Sequence, residues 1–555
     1  MKSKIRIKTS EAFRKVGLLV CFAWAGSLPQ ANAVDAKRPN IINILVDDMG
    51  YSDLGCYGGE IKTPNIDSLA KGGLRFSSYR TYPKCFPTRN SILSGIESDP
   101  INFQEDAVTI AELLRMKGYR TYFVGKTHGN FLPDLQAVAR RGFDRSFGNE
   151  AGGSFFNHKV KQCYLDGKEW HTDKPFYKTD VQTDFALEFL DSYRENRKPF
   201  FLHLAYHAPH YPLHAKPEDI AKYRGKYLQG PNHFRKTRFA KLKELGLINP
   251  KWKLSPSSDD DNEWEKLSAE EKNKYDHLMA VYAAMIDNVD QNIGRVMTKL
   301  KEMGCFENTL ITFSSDNGAC PEGSPFHIWS SHTNQRFGVS YDETAEIGSA
   351  KSHWKLGEAW ANMSSTPFRM YKNYCHEGGL SSPLIVHWPG KSQWVGRVDE
   401  PGSICHDFVS VYDFMPSWLE VAKVEYPMSF EGRKIEPLVG ESFLPLLNGG
   451  VAEDKERTAL FWYKSKSTVC FIKGKWKIVT LDCSDFENSK WELYDIIEDR
   501  TELNDLSAKN PEKLSEMKKA LVESFSDQEA YDSFVKQFVK KSKKGKKKSK
   551  TKKTN

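Results

Sequence analysis

The chain has 555 residues, a formal net charge of +8 and 39% hydrophobic residues, so it is longer than one ordinary domain and can bury a large core. The positive charge lies at the two ends: residues 1–33 contribute +5 and residues 540–555 contribute +10, which leaves the body of the chain at −7. An acidic body removes the compositional support for nucleic-acid binding, and we predict no nucleic-acid partner.

The first 33 residues have the pattern of a cleavable export signal. Six basic residues precede the apolar run 16–25, and the small-residue sequence Ala31-Asn32-Ala33 follows it. A membrane anchor is the weaker alternative, because about 10 apolar residues cannot cross a bilayer that needs about 20. We expect a signal peptide over residues 1–33, a mature chain that begins near Val34, and a periplasmic or secreted location.

The other end of the chain is a lysine-rich tail over residues 539–555. Residues 540–555 contain ten lysines and no acidic residue, a composition that does not bury enough apolar surface to fold. We predict that the tail is disordered. Two interpretations stay open: the tail contacts a polyanion, or it is a solvated extension without a role.

Ten cysteines are spread along the chain, and nine would remain once Cys21 leaves with the signal. Because nine is an odd number, at least one stays unpaired if all bridges are intramolecular. Export permits disulfides, and Cys470 and Cys483 could face each other across a hairpin, but their spacing does not establish a bond.

Two apolar strands are each followed by side chains that carry oxygen. The β-rich run 40–46 stops at one such pair, and the run 309–313 continues through Ser314-Ser315 into another. The four residues at these strand ends are Asp47, Asp48, Asp316 and Asn317. Carboxylate and amide oxygens are the ligands that Ca²⁺ or Mg²⁺ prefers, whereas softer metals would take histidine or thiolate. The sequence therefore predicts an oxygen-only site for a divalent cation.

Two further strands, over 119–124 and 200–204, also end just before polar residues. The polar residues that follow them are Lys126, His128, His207 and His210. A helix with a 3.6-residue apolar period over 278–300 precedes the 309–313 strand, and Gly304 suits the left-handed position that closes it. Strands that alternate with helices predict a largely parallel sheet covered on both faces, with a site at the carboxyl ends of its strands.

From about residue 455 the pattern changes to short strands and one final helix. The predicted strands are 459–463, 469–472, 476–480 and 491–496, and the helix is 511–525. We interpret them as a small antiparallel sheet with one helix. The predicted boundaries are 34–452 for the main catalytic domain and 453–538 for the C-terminal subdomain. We expect the polar stretch 231–272 to be a surface excursion near the rim of the site.

The sharpest motif is Cys85-Phe86-Pro87-Thr88-Arg89, followed by Ser94-Gly95. Proline at a first helical position begins a helix that Gly95 can end. Cys85 would then lie at the helix N-terminus, where unpaired N–H groups and the helix dipole favour an anion such as sulfate. The alternative is a buried structural cysteine ahead of a helix.

This motif resembles the formylglycine signature of the sulfatase family, Cys-x-Pro-x-Arg with a downstream Ser/Thr-Gly, and the resemblance covers the mature chain except its tail. The chain departs from the family at Phe86 and Thr88, where small residues and serine are more usual. The resemblance implies an alkaline-phosphatase-like α/β/α sandwich and a maturation enzyme that oxidises Cys85 to formylglycine. In the hydrated aldehyde one hydroxyl attacks sulfur and the other expels sulfate, a second step that a thiol cannot perform.

The same resemblance assigns the metal and its neighbours. The implied ligands are Asp47, Asp48, Asp316 and Asn317, with the modified Cys85 as a fifth. Arg89 would steady the modified side chain, a role that suits its permanently charged guanidinium. Ca²⁺ is the expected ion, and Mg²⁺ stays open.

Four more residues match family positions around the sulfate. Lys126 and His128 lie in Gly-Lys-Thr-His, which is similar to the family's Gly-Lys-Trp-His, and imply a sulfate contact and a proton acceptor. His210, in Ala-Pro-His-Tyr-Pro, and Lys372 match positions beside the bridging oxygen and the sulfate. Each of the two, taken alone, would more often be structural. The role of His376, which stands where tyrosine is commoner, is left open.

The resemblance implies a sulfatase that hydrolyses a sulfate monoester to an alcohol or phenol and inorganic sulfate. Aryl sulfates and sulfated glycans both fit as substrates. One alternative is a phosphate or phosphonate ester hydrolase, because the same fold and metal geometry serve phosphoryl transfer. Another is an exported glycan-binding protein with an inactive site. His207 and His214 either line a substrate pocket or are surface histidines.

Overall fold

The computed structural model describes residues 38–97, 107–128, 138, 141–149, 153–156, 163–258, 264–322, 342, 344–390, 402–447 and 456–539. The predicted signal peptide and residues 540–555 of the predicted tail lie outside the described residues.

A ten-stranded mixed sheet is the centre of the described structure, with the strand order β11-β2-β10-β9-β1-β8-β4-β5-β6-β7. Its middle strands β9, β1, β8, β4 and β5 are parallel, while β10 runs antiparallel to β9 and β2. All strands of the described residues, in chain order, are β1 (Asn40–Val46), β2 (Leu74–Phe76), β3 (Tyr79–Arg80), β4 (Arg120–Lys126), β5 (Arg145–Asn149), β6 (Tyr164–Leu165), β7 (Lys168–Glu169), β8 (Phe200–Ala205), β9 (Thr309–Ser315), β10 (Leu384–His387), β11 (Ile404–Cys405), β12 (Val409–Ser410), β13 (Ser429–Phe430), β14 (Arg433–Lys434), β15 (Thr458–Tyr463), β16 (Thr468–Lys473), β17 (Trp476–Thr480) and β18 (Trp491–Asp495).

Helices cover both faces of this sheet. The described helices are α1 (Pro64–Lys71), α2 (Cys85–Ser94), α3 (Ile110–Met116), α4 (Lys178–Asn196), α5 (Pro217–Ala221), α6 (Gly230–Glu244), α7 (Ala269–Glu302), α8 (Glu358–Ser364), α9 (Glu377–Leu380), α10 (Phe414–Ala422), α11 (Leu444–Leu447), α12 (Pro511–Glu523) and α13 (Gln528–Lys536). The predicted α/β/α sandwich is confirmed, and none of the described helices combines the length and apolar character needed to cross a bilayer.

The sequence of β1 shows why the sheet is buried on both sides. All seven of its residues are buried, and successive side chains of a strand point to opposite faces. Ile41 and Leu45 join one hydrophobic core, and Ile42, Ile44 and Val46 join the other. A continuous apolar run is what a central parallel strand needs, because both of its faces pack against helices.

The long helix α7 confirms the helix that was predicted from the apolar period of its sequence. Ser268 and Glu271 form a capping box at its N-terminus, and Gly304 adopts the left-handed conformation with φ 63° just after its end. The predicted core positions of this helix, from Leu278 to Leu300, are buried.

The C-terminal residues form the predicted four-stranded antiparallel sheet, in the order β15-β16-β17-β18. The predicted last helix ends at Glu523 rather than at residue 525, and a second helix, α13, follows it. The fully buried Glu377 ties this sheet to the short strand β3: its carboxylate contacts Arg80 of β3, Lys477 of β17 and Arg500 at 3.0, 2.9 and 2.7 Å. One buried carboxylate thus lies among three cations, of which Lys477 belongs to the C-terminal sheet and Arg80 to β3.

The prediction that residues 231–272 form a surface excursion is wrong for the first half of this stretch. Residues 230–244 form α6, and Arg238 on this helix is 1% exposed. Its guanidinium contacts Asp53 at 2.7 Å and Glu60 at 2.8 Å. The polar composition of this stretch misled the prediction, because two of its arginines, Arg235 and Arg238, are buried in polar contacts rather than solvated.

Cys470 and Cys483 do not form a disulfide, and both are buried thiols. Cys470 lies in β16 opposite Phe461 of β15, whereas Cys483 lies beyond the end of β17. The hairpin suggested by their spacing does exist, but Cys483 lies outside its paired residues.

Replacing Arg238 with alanine should lower the free energy of unfolding by about 3–5 kcal/mol, because it leaves the fully buried carboxylate of Asp53 without its cation. Denaturant titration measures the change. The control is Lys241→Ala on the same helix, whose side chain is 45% exposed and which should change stability by less than about 0.5 kcal/mol. Equal losses in the two variants would show that the buried ion pair is not what stabilises α6.

Candidate active site

The carboxyl ends of β1, β4, β8 and β9 meet at one edge of the main sheet. In β1, Leu45 pairs with Ala205 of β8 and Val46 pairs with Ser315 of β9, while Gly125 of β4 pairs with the same Ala205. The residues just beyond these four ends therefore come together. The prediction that each strand delivers its polar group to one site is confirmed.

Asp47 and Asp48 both face this site because the chain turns sharply after β1. Consecutive side chains in a strand point to opposite faces, so two neighbouring acids would normally be separated. Asp48 instead adopts a left-handed conformation with φ 69°, which aspartate tolerates better than most residues. The backbone N–H of Asp48 donates to Asp316 Oδ1 at 3.2 Å, which ties the two acid-bearing strand ends together.

The four predicted oxygen ligands form one buried group. Asn317 Nδ2 donates to Asp48 Oδ1 at 2.7 Å, so the amide oxygen of Asn317 points elsewhere. That oxygen and Asp47 Oδ1 are buried and accept no hydrogen bond. Ligand atoms of Asp47, Asp316 and Cys85 lie within 4.8 Å of one another. Two unsatisfied oxygens in a cluster of carboxylates fit a hard divalent cation, and the chemistry of the donor set fits Ca²⁺ or Mg²⁺.

Three cations surround these acids. Arg89 Nε contacts Asp316 Oδ2 at 2.7 Å, and Lys126 Nζ contacts Asp47 Oδ2 at 2.5 Å. Lys372 Nζ donates to both oxygens of Asp48, at 2.6 and 2.7 Å. Each predicted cation therefore neutralises one predicted metal ligand. Gly125 precedes Lys126, and only glycine fits at this position. Its φ is 116°, and a Cβ added there would lie 1.9 Å from the carbonyl oxygen of Ala205.

The charges in this cluster are strongly interdependent. Burial opposes the ionisation of Asp47, but Lys126 and the other nearby cations hold the pKa of its carboxyl well below the usual range. Burial raises the pKa of Asp316 to about 7, although Arg89 acts in the opposite direction. The three cations alone therefore do not keep all three carboxyl groups fully ionised at neutral pH.

Cys85 is the first residue of α2 and is fully buried. The predicted helix is confirmed, and it ends at Gly95 with φ 71°. Pro87 lies at the third helical position rather than the first, still within the turn whose N–H groups have no helical partner. Burial raises the pKa of the Cys85 thiol, so an unmodified cysteine here would be a poor nucleophile at neutral pH.

The two predicted site histidines lie at the more exposed side of the cluster. His210 Nε2 is 3.4 Å from Asp48 Oδ2, and its Nδ1 donates to the carbonyl of Tyr211 at 2.6 Å. Burial lowers the pKa of His210 to about 4 and that of His128 well below its ordinary value. Both imidazoles are therefore neutral at neutral pH. His128 lies near the ring of Phe86, with centroids 6.5 Å apart.

Three other histidines are structural in their surroundings. His207 and His214 are not surface residues: His207 Nδ1 meets Gln182 Nε2 at 2.7 Å, and His214 Nε2 meets the carbonyl of Ser352 at 2.7 Å. His376 is fully buried, and its Nε2 contacts Glu492 of β18 at 2.9 Å. The open question about His376 is answered by this contact, which ties the loop after Lys372 to the C-terminal sheet.

Comparison with known proteins identifies this architecture. Residues 39–424 match the family model described as Sulfatase, which is more than half of the chain. The chain belongs to the sulfatase family. Residues 368–530 match a second model, described as N-sulphoglucosamine sulphohydrolase, C-terminal. The predicted sulfatase resemblance is thereby confirmed, and this sulfatase is a sulfuric ester hydrolase.

Two curated relatives and one solved structure illustrate the match. The sulfatase is 31% identical over 529 residues to an uncharacterized sulfatase of Schizosaccharomyces pombe, covering 87% of this chain and 92% of that one. It is 33% identical over 442 residues to an arylsulfatase of Klebsiella aerogenes, covering 74% and 92%. The crystal structure of Ps i-CgsB in complex with k-i-k-neocarrahexaose aligns with a TM-score of 0.63 at 24% identity, covering 90% of this chain and 94% of that one.

Sequence reasoning missed a group beside His210. Tyr211 stacks on the His210 ring with centroids 4.3 Å apart, and Lys355 Nζ lies 5.9 Å from the centre of the Tyr211 ring. His353 meets the same ring edge-on at 6.1 Å. No local signal marks His353 or Lys355, because they reach the site from a segment about 140 residues downstream. Tyr211 was adjacent to a predicted residue and carried no motif of its own.

Removing divalent cations from the sulfatase with a chelator should lower its melting temperature, because the buried carboxylates lose their counter-charge. Added Ca²⁺ or Mg²⁺ should restore it, with about 2.7 kcal/mol of stabilisation when the cation is at 100 times its dissociation constant. Thermal unfolding measures the effect without any need for activity.

The matched variants for this test are two buried asparagines. Asn317→Ala should weaken the cation-dependent rise in melting temperature. Asn362→Ala should keep it, since Asn362 also has a buried side-chain oxygen without a hydrogen bond but lies on α8 rather than among the four candidate ligands. A response to zinc alone would contradict the assignment of an oxygen-only site.

Proposed function

We propose that this sulfatase is exported and hydrolyses sulfate monoesters of glycans or aryl alcohols with a formylglycine made from Cys85. The observation that carries the proposal is the position of Cys85. It begins a ten-residue helix and lies within 4.8 Å of carboxylate oxygens of Asp47 and Asp316. A nucleophile beside both a cation site and a helix N-terminus suits attack on an anionic ester.

The proposed cofactors are a divalent cation, most simply Ca²⁺ with Mg²⁺ as the alternative, and the modified side chain of Cys85. The ligands are Asp47, Asp48, Asp316 and Asn317, with the oxygen of the modified residue as a fifth. When bound, the cation would supply a fixed positive charge beside a sulfate oxygen, and formylglycine would supply a hydrated aldehyde as the nucleophile.

The protein's own cations would bind and orient the sulfate. Lys126 contacts Asp47 at 2.5 Å, and Arg89 bridges Asp316 and Asp47 at 2.7 and 3.6 Å. Arg89 Nη2 is buried without a hydrogen bond, so one N–H donor of its guanidinium stays available for the modified side chain. These donors are held in place before substrate binds, which is what lets them stabilise charge in the transition state.

Proton transfer would fall to the remaining three residues. His128 is neutral, so its imidazole can accept the proton of the nucleophile's second hydroxyl as sulfate leaves. His210 and Lys372 both contact Asp48 and would serve the bridging oxygen. Although burial opposes it, contact with Asp48 raises the pKa of Lys372 well above its usual value, so this residue is the protonated member of the pair.

Maturation must precede folding in this proposal. Cys85 is fully buried, so a formylglycine-generating enzyme could not reach its thiol in the folded protein. The partner would therefore recognise the unfolded segment around residue 85. Contact between the lysine-rich tail and a polyanion remains a separate proposal, based only on composition.

The substrate class has two sources of support. The relative from Klebsiella aerogenes is named an arylsulfatase, and residues 368–530 match a model named for an N-sulphoglucosamine sulphohydrolase, which acts on an amino sugar. A phosphate or phosphonate esterase is the competing enzyme, and turnover of an aryl sulfate against its phosphate analogue separates the two. An inactive glycan-binding protein would turn over neither ester.

The mass of the peptide that contains residue 85 should show formylglycine in active protein. Oxidation of a thiol to an aldehyde changes this mass while Cys56 stays unmodified in the same digest, which makes its peptide the internal control. Cys85→Ala should abolish turnover and leave the melting temperature within a few degrees, because it is a small change with all four oxygen ligands kept. A fully active sample that carries only the thiol would refute the proposal.

Lys372→Ala should slow the hydrolysis of a sugar sulfate about 10²–10⁴-fold more than that of nitrophenyl sulfate. An alkoxide leaves poorly without a proton, whereas nitrophenolate leaves readily. Values of kcat/KM for both substrates measure the difference, and His210→Ala tests the second candidate in the same way. Arg89→Ala is the control and should slow both substrates alike, because Arg89 would act on the modified residue rather than on the leaving group. Equal losses for Lys372→Ala would mean that it only binds sulfate.

A further inference from the structure

We propose that Cys375 and Cys470 form a disulfide bond in the mature sulfatase, and that this bond fastens the loop carrying Lys372 to the C-terminal sheet. The inference rests on the proposed function, since export supplies an oxidising compartment and Lys372 would serve the leaving oxygen. The two cysteines lie 95 positions apart, so their spacing in the sequence gives no sign of the pair.

Two contacts with the C-terminal sheet place Cys375 against Cys470. The backbone N–H of Cys375 donates to Thr468 Oγ1 at 3.2 Å, and Thr468 lies two residues before Cys470 in β16. Residues two apart in a strand point to the same face, so the side chain of Cys470 lies on the face that Cys375 approaches. In the second contact, Cys375 Sγ donates to the carbonyl of Phe461 at 3.4 Å. Phe461 pairs with Cys470 across β15 and β16.

The two sulfur atoms are in contact inside the protein. Both thiols are fully buried, and the thiol of Cys470 shares a hydrogen bond with that of Cys375. Burial, together with this contact, raises the pKa of the Cys375 thiol well above its usual range. A disulfide forms without backbone movement only where two cysteine side chains already face each other at short range. Cys375 and Cys470 meet this condition.

The loop that carries Lys372 is attached by its backbone to elements of the candidate active site. The N–H of Lys372 donates to the carbonyl of Ala319, in the loop after β9, at 3.1 Å. The N–H of Asn373 donates to the carbonyl of Pro83, two residues before α2, at 2.8 Å. Cys375 follows in the same loop and contacts β16. A covalent bond from Cys375 to β16 would therefore fix the backbone of Lys372 relative to the C-terminal sheet.

Bond formation needs an oxidant, and a small disulfide such as oxidised glutathione is sufficient. One cysteine attacks this disulfide as its thiolate, which gives a mixed disulfide and releases one molecule of reduced glutathione. The second cysteine sulfur then displaces the other glutathione as a thiolate. The two cysteine protons end on the two released glutathione thiols, so two cysteines are oxidised and one glutathione disulfide is reduced. Because Cys375 and Cys470 are fully buried, the exchange must take place while the chain folds.

The test refolds reduced, full-length protein in two buffers, one with oxidised and reduced glutathione and one with reduced glutathione alone. A non-reducing peptide map should show Cys375 and Cys470 in one cross-linked species after the first treatment and in separate peptides after the second. The cross-linked protein should melt about 2–8 °C higher, because a bond across so long a loop restricts the unfolded chain. If refolding fails, exported protein purified without reductant should give the cross-linked map.

The matched control is Cys483→Ser, which removes another fully buried thiol just beyond β17. It should keep both the cross-linked peptide and the difference in melting temperature between the two buffers. Cys375→Ala and Cys470→Ala should each abolish this difference, whatever they do to the absolute melting temperature. Folded protein that keeps both cysteines as thiols in the oxidising buffer or after export, or that pairs either with another cysteine, would overturn the inference.

The effect on Lys372 has its own measurement, made on matured enzyme prepared in both buffers. The disulfide should raise kcat/KM for a sugar sulfate at least about threefold more than kcat/KM for nitrophenyl sulfate, because the position of a proton donor matters most for the poorer leaving group. Equal changes on both substrates would overturn the link to Lys372. If the matured enzyme hydrolysed no sulfate ester, the proposed function would fail, whereas the peptide map and the melting temperatures would still decide whether the bond forms.

Discussion

Three carboxylates that share one buried volume are the constraint on which the rest of this structure depends. Asp47, Asp48 and Asp316 are each at most 1% exposed. Carboxylates in such surroundings are tolerated only when positive charge lies close by. Arg89, Lys126 and Lys372 supply it, each from a different element, and the orphaned oxygens of Asp47 and Asn317 leave room for a cation. The main sheet brings the three acids and Lys126 to one edge, while Arg89 comes from α2 and Lys372 from the loop before α9.

The C-terminal sheet contributes to this centre without touching it. Lys372 lies in a loop that leads into α9, and two buried contacts hold that loop against the C-terminal strands: His376 with Glu492, and Glu377 with Lys477. The loop also packs backbone against backbone, since an added Cβ on Gly378 would lie 2.0 Å from the carbonyl of Met370. The position of the Lys372 ammonium is therefore set by residues more than 100 positions downstream. A shift of the C-terminal sheet would move a cation of the site.

The site is asymmetric in exposure, and this asymmetry separates two kinds of chemistry. Its deeply buried part holds the cations, the acids and Cys85, where low dielectric strengthens every interaction with a sulfate group. Its more accessible part holds His210, Tyr211 and the partly exposed Phe86, which present rings rather than fixed charges. In the proposed function, the buried residues would bind sulfate and the more accessible ones would face the alcohol that carries it.

The sequence alone determined the four central strands, the four strands of the C-terminal sheet, the main helix and most of the residues that meet at the candidate site, because these depend on local patterns. The apolar run of β1, the 3.6-residue period of α7 and the Cys-x-Pro-x-Arg motif before Gly95 are all visible within short windows, and all are present in the structure. The meeting of the four oxygen-bearing side chains was predictable for the same reason, since parallel strands deliver their carboxyl ends to one edge. What only the tertiary structure decided is which charges meet. The burial of Arg238 with Asp53, the contact of Lys372 with Asp48 and the approach of Lys355 to Tyr211 join residues separated by more than 100 positions. Polar composition indicated solvent exposure for α6, and it was wrong for Arg235 and Arg238, because a polar side chain can be buried where the fold provides a partner.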